Sequence, residues 1–154
     1  MDDILLVDEG DIEQAIVMLL EIEKTVTEGA GAAPLAAVLG NGPTFAGKKV
    51  GIVLSGGNID PVLLASIIHR GLVRQGRLAR LRVCTRDVPG ALATISGLVS
   101  AVGANIDEVH HQRAFTSLAA QNVEIQLVLQ TRDREHIRAV LTALNDGGFE
   151  AAEH

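Results

Sequence analysis

"RDVPGALATISGLVSAVGANI" (Arg86–Ile106) decides how the second half of this chain folds. Pro89 and Gly90 interrupt the pattern that precedes them, and on their own they read as a turn. Leu92, Ile95, Val99 and Val102 then recur at helical spacing, which predicts a helix with one apolar stripe. Gly103 follows the last of them, and "ANIDEVHHQRA" (Ala104–Ala114) reads as a strand with weak alternation. The stretch is therefore strand end, turn, helix, strand.

Working outward, Leu81 and Val83 alternate with Arg80, Arg82 and Cys84 before the turn, the pattern of a half-buried strand. Beyond it, Val123, Ile125, Leu127 and Leu129 alternate with Glu124, Gln126, Val128 and Gln130, a third strand. Ile137, Val140, Leu141 and Leu144 mark a second helix. "GGFEAAEH" supplies an edge strand around Phe149. The order over residues 77–154 is β-α-β-β-α-β, the ferredoxin-like split βαβ arrangement. It closes one sheet under two helices and can fold by itself.

Residues 1–76 read differently, as an α/β piece. "ILLV" (Ile4–Val7) suggests a short buried strand. Asp11 and Gln14 suit a capping box at the head of a helix through Ile12, Ala15, Ile16, Leu19 and Leu20. "EGAGAAPLAAVLG" (Glu28–Gly40) enters a helix of small residues, with Pro34 expected in or near its first turn. "KVGIVL" (Lys49–Leu54) is a continuous apolar run that suits a central parallel strand. "SGGN" (Ser55–Asn58) is the loop after it. Asp60 and Pro61 open the next helix as N-cap and first helical residue, and Gly76 can end it. Two strands make a poor sheet, so the expectation here is an incomplete one.

Composition narrows the function. The chain has 154 residues, 47% of them apolar, which permits a core and argues against disorder. Trp and Tyr are missing and the Phe are Phe45, Phe115 and Phe149, so base stacking has no side chains to use. The net charge of −6 divides unevenly: ten acids and three Lys before residue 61 give −7, ten Arg and nine acids after it give +1. Six Arg fall between Arg70 and Arg86, a pattern that reads as a solvated helix end and strand face and not as a nucleic-acid patch. Cys84 is the single cysteine, so no disulfide framework exists. The acidic N-terminus lacks a signal-peptide pattern, and the apolar runs fall far short of a membrane span. A cytoplasmic protein is expected.

Two chemistries find little support. Ser55 lacks the G-x-S-x-G context of a hydrolase nucleophile, and nothing ties His69, His110, His111 or His136 to it as a base. His110 and His111 are neighbours on a strand and point to opposite faces, so they cannot share a metal ion.

Binding is better founded. Gly90 lets backbone approach a ligand, and the helix after it directs free N–H groups there, which suits a carboxylate. With "DVPGAL" after the first strand and "GANI" opening the second, residues 77–154 resemble an ACT domain, the module by which amino-acid enzymes sense amino acids. The resemblance implies an effector site at a pairing interface, lined by Asp87, Pro89, Gly90, Ala91, Leu92, Asn105 and Ile106. It also implies a homo-oligomer formed through this domain and an amino-acid effector, with isoleucine or valine expected.

"TVTEGAGAAPLAA", "GKKVGIVLSGGNID" and "LASIIHRGL", followed by that module, resemble the C-terminal part of threonine dehydratase (threonine ammonia-lyase), a pyridoxal-phosphate enzyme of type II fold. The resemblance implies conversion of L-threonine to 2-oxobutanoate and ammonia in the parent enzyme. It makes residues 1–76 a C-terminal piece of the catalytic domain, with an incomplete parallel sheet, and residues 77–154 the regulatory domain. Ser55 would contact the cofactor's pyridine nitrogen, Glu28 would lie near it, and Gly56, Gly57 and Asn58 would shape that wall. A neutral hydroxyl there does not hold the nitrogen protonated as an Asp would, which suits elimination over transamination. The departures are large. The Lys are Lys24, Lys48 and Lys49, none in the family's Schiff-base context, and the glycine-rich phosphate loop is missing. The chain alone is expected neither to hold pyridoxal phosphate nor to catalyse. The competing reading is a stand-alone, non-catalytic amino-acid-binding or dimerisation protein.

Overall fold

The computed structural model describes residues 4–112 and 122–154. The chain divides into two compact units, Met1–Gly71 and Leu72–His154. Each is described by itself.

The first unit is helical. α1 (Glu9–Met18) begins behind Asp8, whose Oδ1 accepts the N–H of Asp11 at 2.8 Å, so the cap lies at Asp8 and not at Asp11. The two carboxylates share one turn, and the earlier one wins because helical geometry starts at Glu9. A π-helical turn (Leu19–Glu23) extends the helix, and Lys24 closes it in the left-handed region, φ 56°. α2 (Gly29–Gly40) and the short α3 (Gly42–Phe45) follow. Pro34 falls in the second turn of α2, later than expected. α4 (Pro61–Arg74) starts as the sequence suggests: Asp60 Oδ1 accepts from the N–H of Val62 at 2.9 Å and of Leu63 at 3.0 Å. Ala15, Ile16, Leu19, Ala32, Ala36 and Ile67 form the core of this unit. The small residues of α2 let its backbone come close to α1.

Two expected strands are missing from this unit. Ile4–Val7 and Lys49–Leu54 have apolar strand character, but both run as irregular chain. A strand exists only through a continuous ladder with a neighbour, and no strand is formed among the described residues of this unit. The incomplete parallel sheet is therefore not formed.

The second unit has the expected order. β1 (Leu78–Arg86), α5 (Ala91–Ala101), β2 (Asn105–Gln112), β3 (Asn122–Gln130), α6 (Arg134–Asp146) and β4 (Glu150–Glu153) build an antiparallel sheet in the order β2-β3-β1-β4. Register explains the core. Ala79, Leu81 and Val83 stand opposite Leu129, Leu127 and Ile125 on one face. Ile95 and Val99 of α5, and Ile137, Val140 and Leu144 of α6, complete that cluster. At roughly 1.5–3 kcal/mol for each large side chain removed from water, this cluster is the main favourable term for the unit.

β2 carries an irregularity that the sequence shows only as weak alternation. Ile106 pairs with Leu129, but Glu108, not Asp107, pairs with Val128. The extra residue is a bulge at Asp107, and it flips every later side chain to the other face. Val109 and His111 thereby share the helix-covered face, while Glu108 and His110 take the open one. Arg113 and Ala114, included in the expected strand, lie outside the described residues.

α5 ends by a backbone device. The N–H of Gly103 donates to Ser100 and that of Ala104 to Val99, which requires the left-handed backbone that Gly103 adopts at φ 81°. α4 ends at Gly76 by the same pair of bonds, to Val73 and Leu72. α6 starts at Asp133, whose Oδ1 accepts the N–H of His136 at 2.8 Å.

Candidate functional site

An open cleft of about 560 Å³ lies at the N-terminal end of α5. Its floor is Val123 and Ile125, both buried. One wall is the turn from Asp87 to Ala93, and the others carry Arg86 and His111. Gly90 makes this wall possible. Its φ of 90° bends the chain into the helix, and the space where a Cβ would stand is empty. Pro89 precedes it, and no side chain caps α5. The Ala91 N–H donates to the Val88 carbonyl at 3.2 Å, which leaves those of Leu92 and Ala93 at a position where the helix dipole favours negative charge. Val88 and Leu92 add half-exposed apolar surface. The arrangement offers the Arg86 guanidinium, the His111 imidazole and N–H donors for a carboxylate, beside an apolar floor.

Of the residues read as effector-binding, Asp87, Pro89, Gly90, Ala91 and Leu92 are brought together here. Asn105 and Ile106 are not. Asn105 pairs with Gln130 at the far end of the sheet and donates its side-chain N–H to Gln130 Oε1 at 3.4 Å. That is roughly 23 Å from Val123 at about 3.3 Å per strand residue. Ile106 packs against the sheet–helix core. Arg86 and His111 also line the cleft, which sequence reading did not show. Arg86 is the last residue of β1, so its place needed only the strand's end. His111 needed the bulge.

In the first unit, the loop of Ser55, Gly56 and Gly57 lies against the start of α2. The buried Thr27 hydroxyl donates to the Gly56 carbonyl at 3.0 Å, and the Glu28 N–H reaches the same oxygen at 3.3 Å. A Cβ on Gly31 would collide with the Ser55 carbonyl, and one on Gly56 with the Glu28 carboxylate. Ser55, Gly56, Gly57 and Glu28 thus form one locality, with Asn58 exposed beside it. As a holder of pyridoxal phosphate this locality does not fit. Lys24 Nζ donates to the Glu21 carbonyl at 2.6 Å, and Lys48 and Lys49 are exposed, so no buried amine is present for a Schiff base. Among the described residues, no group of His, Cys, Asp and Glu could hold a metal ion, and no helix is long and apolar enough to cross a membrane.

An α/β chain whose second unit is a ferredoxin-like four-stranded sheet with an open cleft at a helix N-terminus is the class these observations define. Sequence comparison adds the particular relatives. The chain is similar to L-threonine ammonia-lyase of Geobacter sulfurreducens, 42% identical over 97% of this chain and 37% of that protein. It is 41% identical to L-threonine ammonia-lyase of Thermotoga maritima over the same shares. A putative threonine dehydratase of Sinorhizobium fredii is 45% identical over 74 residues, 48% of this chain and 22% of that one. The chain thus spans little more than a third of the length of the relatives it matches from end to end. No family model matches. Among solved structures, the ACT domain of GTP pyrophosphokinase from Chlorobium tepidum is 16% identical with a TM-score of 0.41, over 50% of this chain and 96% of that one. Formyltetrahydrofolate deformylase from Burkholderia mallei is 16% identical with a TM-score of 0.38, over 50% and 27%. The recognition drawn from the motifs stands: similarity to the L-threonine ammonia-lyases runs through nearly the whole chain.

Proposed function

We propose that this chain is the C-terminal regulatory portion of a threonine ammonia-lyase, with residues 77–154 as an amino-acid-sensing ACT module. The observation that carries the reading is the similarity to these enzymes over 97% of the chain. The α5 cleft supports the sensing part, because it offers donors for a carboxylate and an apolar floor for an aliphatic side chain. Isoleucine or valine fits that description best. The distance between Asn105 and the cleft within one chain supports a site shared by two copies, each giving one part. Residues 1–76 are the cofactor-side wall of a catalytic domain, formed by Ser55, Gly56, Gly57, Asn58 and Glu28. Pyridoxal phosphate belongs to the complete enzyme, and this chain alone does not turn over threonine.

The second reading, a stand-alone amino-acid-binding or pairing protein, draws its support from the three Lys, none of them buried. Both readings are tested by calorimetric titration of the chain with isoleucine, valine, threonine and serine. Saturable binding of isoleucine or valine is expected. Gly90→Val should weaken it at least about tenfold, because a β-branched residue at positive φ reshapes the cleft wall. No binding by any of the four would overturn the sensing function. Ammonia release from threonine by the chain alone would overturn its inactivity.

A further inference from the structure

We propose that His111 is a ligand-binding residue of the α5 cleft, its protonated ring pairing with the carboxylate of the bound amino acid. The inference rests on the sensing function proposed above and names a contact that tunes it.

The bulge at Asp107 decides which of two adjacent histidines meets the ligand. Because of it, His111 stands opposite Ile125, whose side chain floors the cleft. His110 stands opposite Gln126 on the other face, where its Nε2 lies 2.9 Å from Glu108 Oε2. His136 is buried, with both ring nitrogens engaged by backbone. His111 thus differs from both: its ring lines a cleft.

The charged groups facing that space come from each surrounding element. β1 gives Arg86, the following turn gives Asp87, and β2 gives His111. β3 gives Val123 and Ile125, which are apolar, and α5 gives the N–H groups of Leu92 and Ala93. A zwitterion in this field directs its carboxylate toward α5, Arg86 and His111. Arg86 keeps its charge at all working pH, whereas an imidazole changes charge between about pH 5 and 8. Binding should therefore tighten as pH falls through the range in which an imidazole gains its charge.

The test is titration of the full chain with isoleucine and valine at about pH 5.5 and about pH 8.5, on either side of the imidazole range. Wild type should bind about tenfold tighter at the lower pH, the gain ascribed to one charge-assisted hydrogen bond. His111→Gln should bind at the weaker level at both values. His111→Arg should bind at the tighter level at both. A merely structural role for His111 would not make the arginine variant tight and pH-independent. Equal wild-type affinity at the two pH values, or a pH dependence that persists in His111→Gln, would overturn the proposal while leaving amino-acid sensing intact. Absence of binding by wild type at both values would overturn the sensing function, and this inference with it.

Discussion

His136 shows how much one side chain can fasten. Its Nδ1 accepts the N–H of Arg132 at 3.1 Å, so its proton sits on Nε2, which donates to the Val102 carbonyl at 2.9 Å. The ring ties the start of α6 to the end of α5, and it is 3% exposed. His136→Ala removes both bonds and leaves a cavity, which should cost about 2–4 kcal/mol in denaturant unfolding. A loss below about 0.5 kcal/mol, the range of inert surface changes, would contradict that role. Cys84 makes a prediction of opposite character. Burial raises its thiol pKa, Arg82 lowers it in part, and Glu150 and Glu124 raise it further. The fold therefore favours the neutral thiol. Its contribution to stability is present below the unfolded thiol's value, about 8.5, and is lost as pH rises through the higher folded value. Near neutral pH a thiol reagent should react more slowly with the native chain than with the denatured one. Equal rates would contradict it. At this scale the sequence was informative where chemistry is local. "DVPGAL" announced the cleft wall, since proline, glycine and a helix start leave their mark in a few adjacent residues. His111 was not legible, because its orientation depends on a pairing irregularity with a strand beyond residue 121.

Elements divide by where their hydrogen bonds go. Helices satisfy themselves, so α4, α5 and α6 were readable from periodicity, α4 also from its Asp60 cap. The strands of the second unit were readable because their partners lie within the same unit. "ILLV" and "KVGIVL" carry the same kind of signal, yet they form no strand, because a strand needs a ladder that the described residues of the first unit do not build. The bulge in β2 belongs to this scale. Deleting Asp107 would remove the extra residue and restore plain alternation in the present register, with Val109 still opposite Leu127 and His111 still opposite Ile125. The deletion should therefore change stability by less than about 1 kcal/mol in denaturant unfolding. A loss above about 3 kcal/mol would mean that the faces of β2 do not follow from the bulge. The Asp133 cap offers a milder check: Asp133→Ala should cost about 1 kcal/mol through loss of its bond to the His136 N–H.

For the whole molecule, the contrast between the two units matters most. The second has a closed register and a contiguous aliphatic core under two helices. The first leaves Leu6 90%, Val53 75% and Val62 76% exposed, with Ile4, Val50, Ile52 and Leu54 also open. Apolar surface on that scale favours association. The chain at micromolar concentration should scatter light as an oligomer, and Leu6→Lys with Val53→Lys should reduce its apparent mass. A monodisperse monomer would contradict this. Association through this apolar surface and sensing are separable, because the described residues that line the cleft belong to the second unit. The measurement that tests the central claim most directly is a thermal melt of the purified chain with and without isoleucine, valine, threonine and serine. A ligand at about 100 times its Kd adds roughly 2.7 kcal/mol to the folded state, worth several degrees in Tm. The account predicts such a shift with isoleucine or valine, and a smaller one or none with serine. An unchanged melt with all four would contradict amino-acid sensing by this chain.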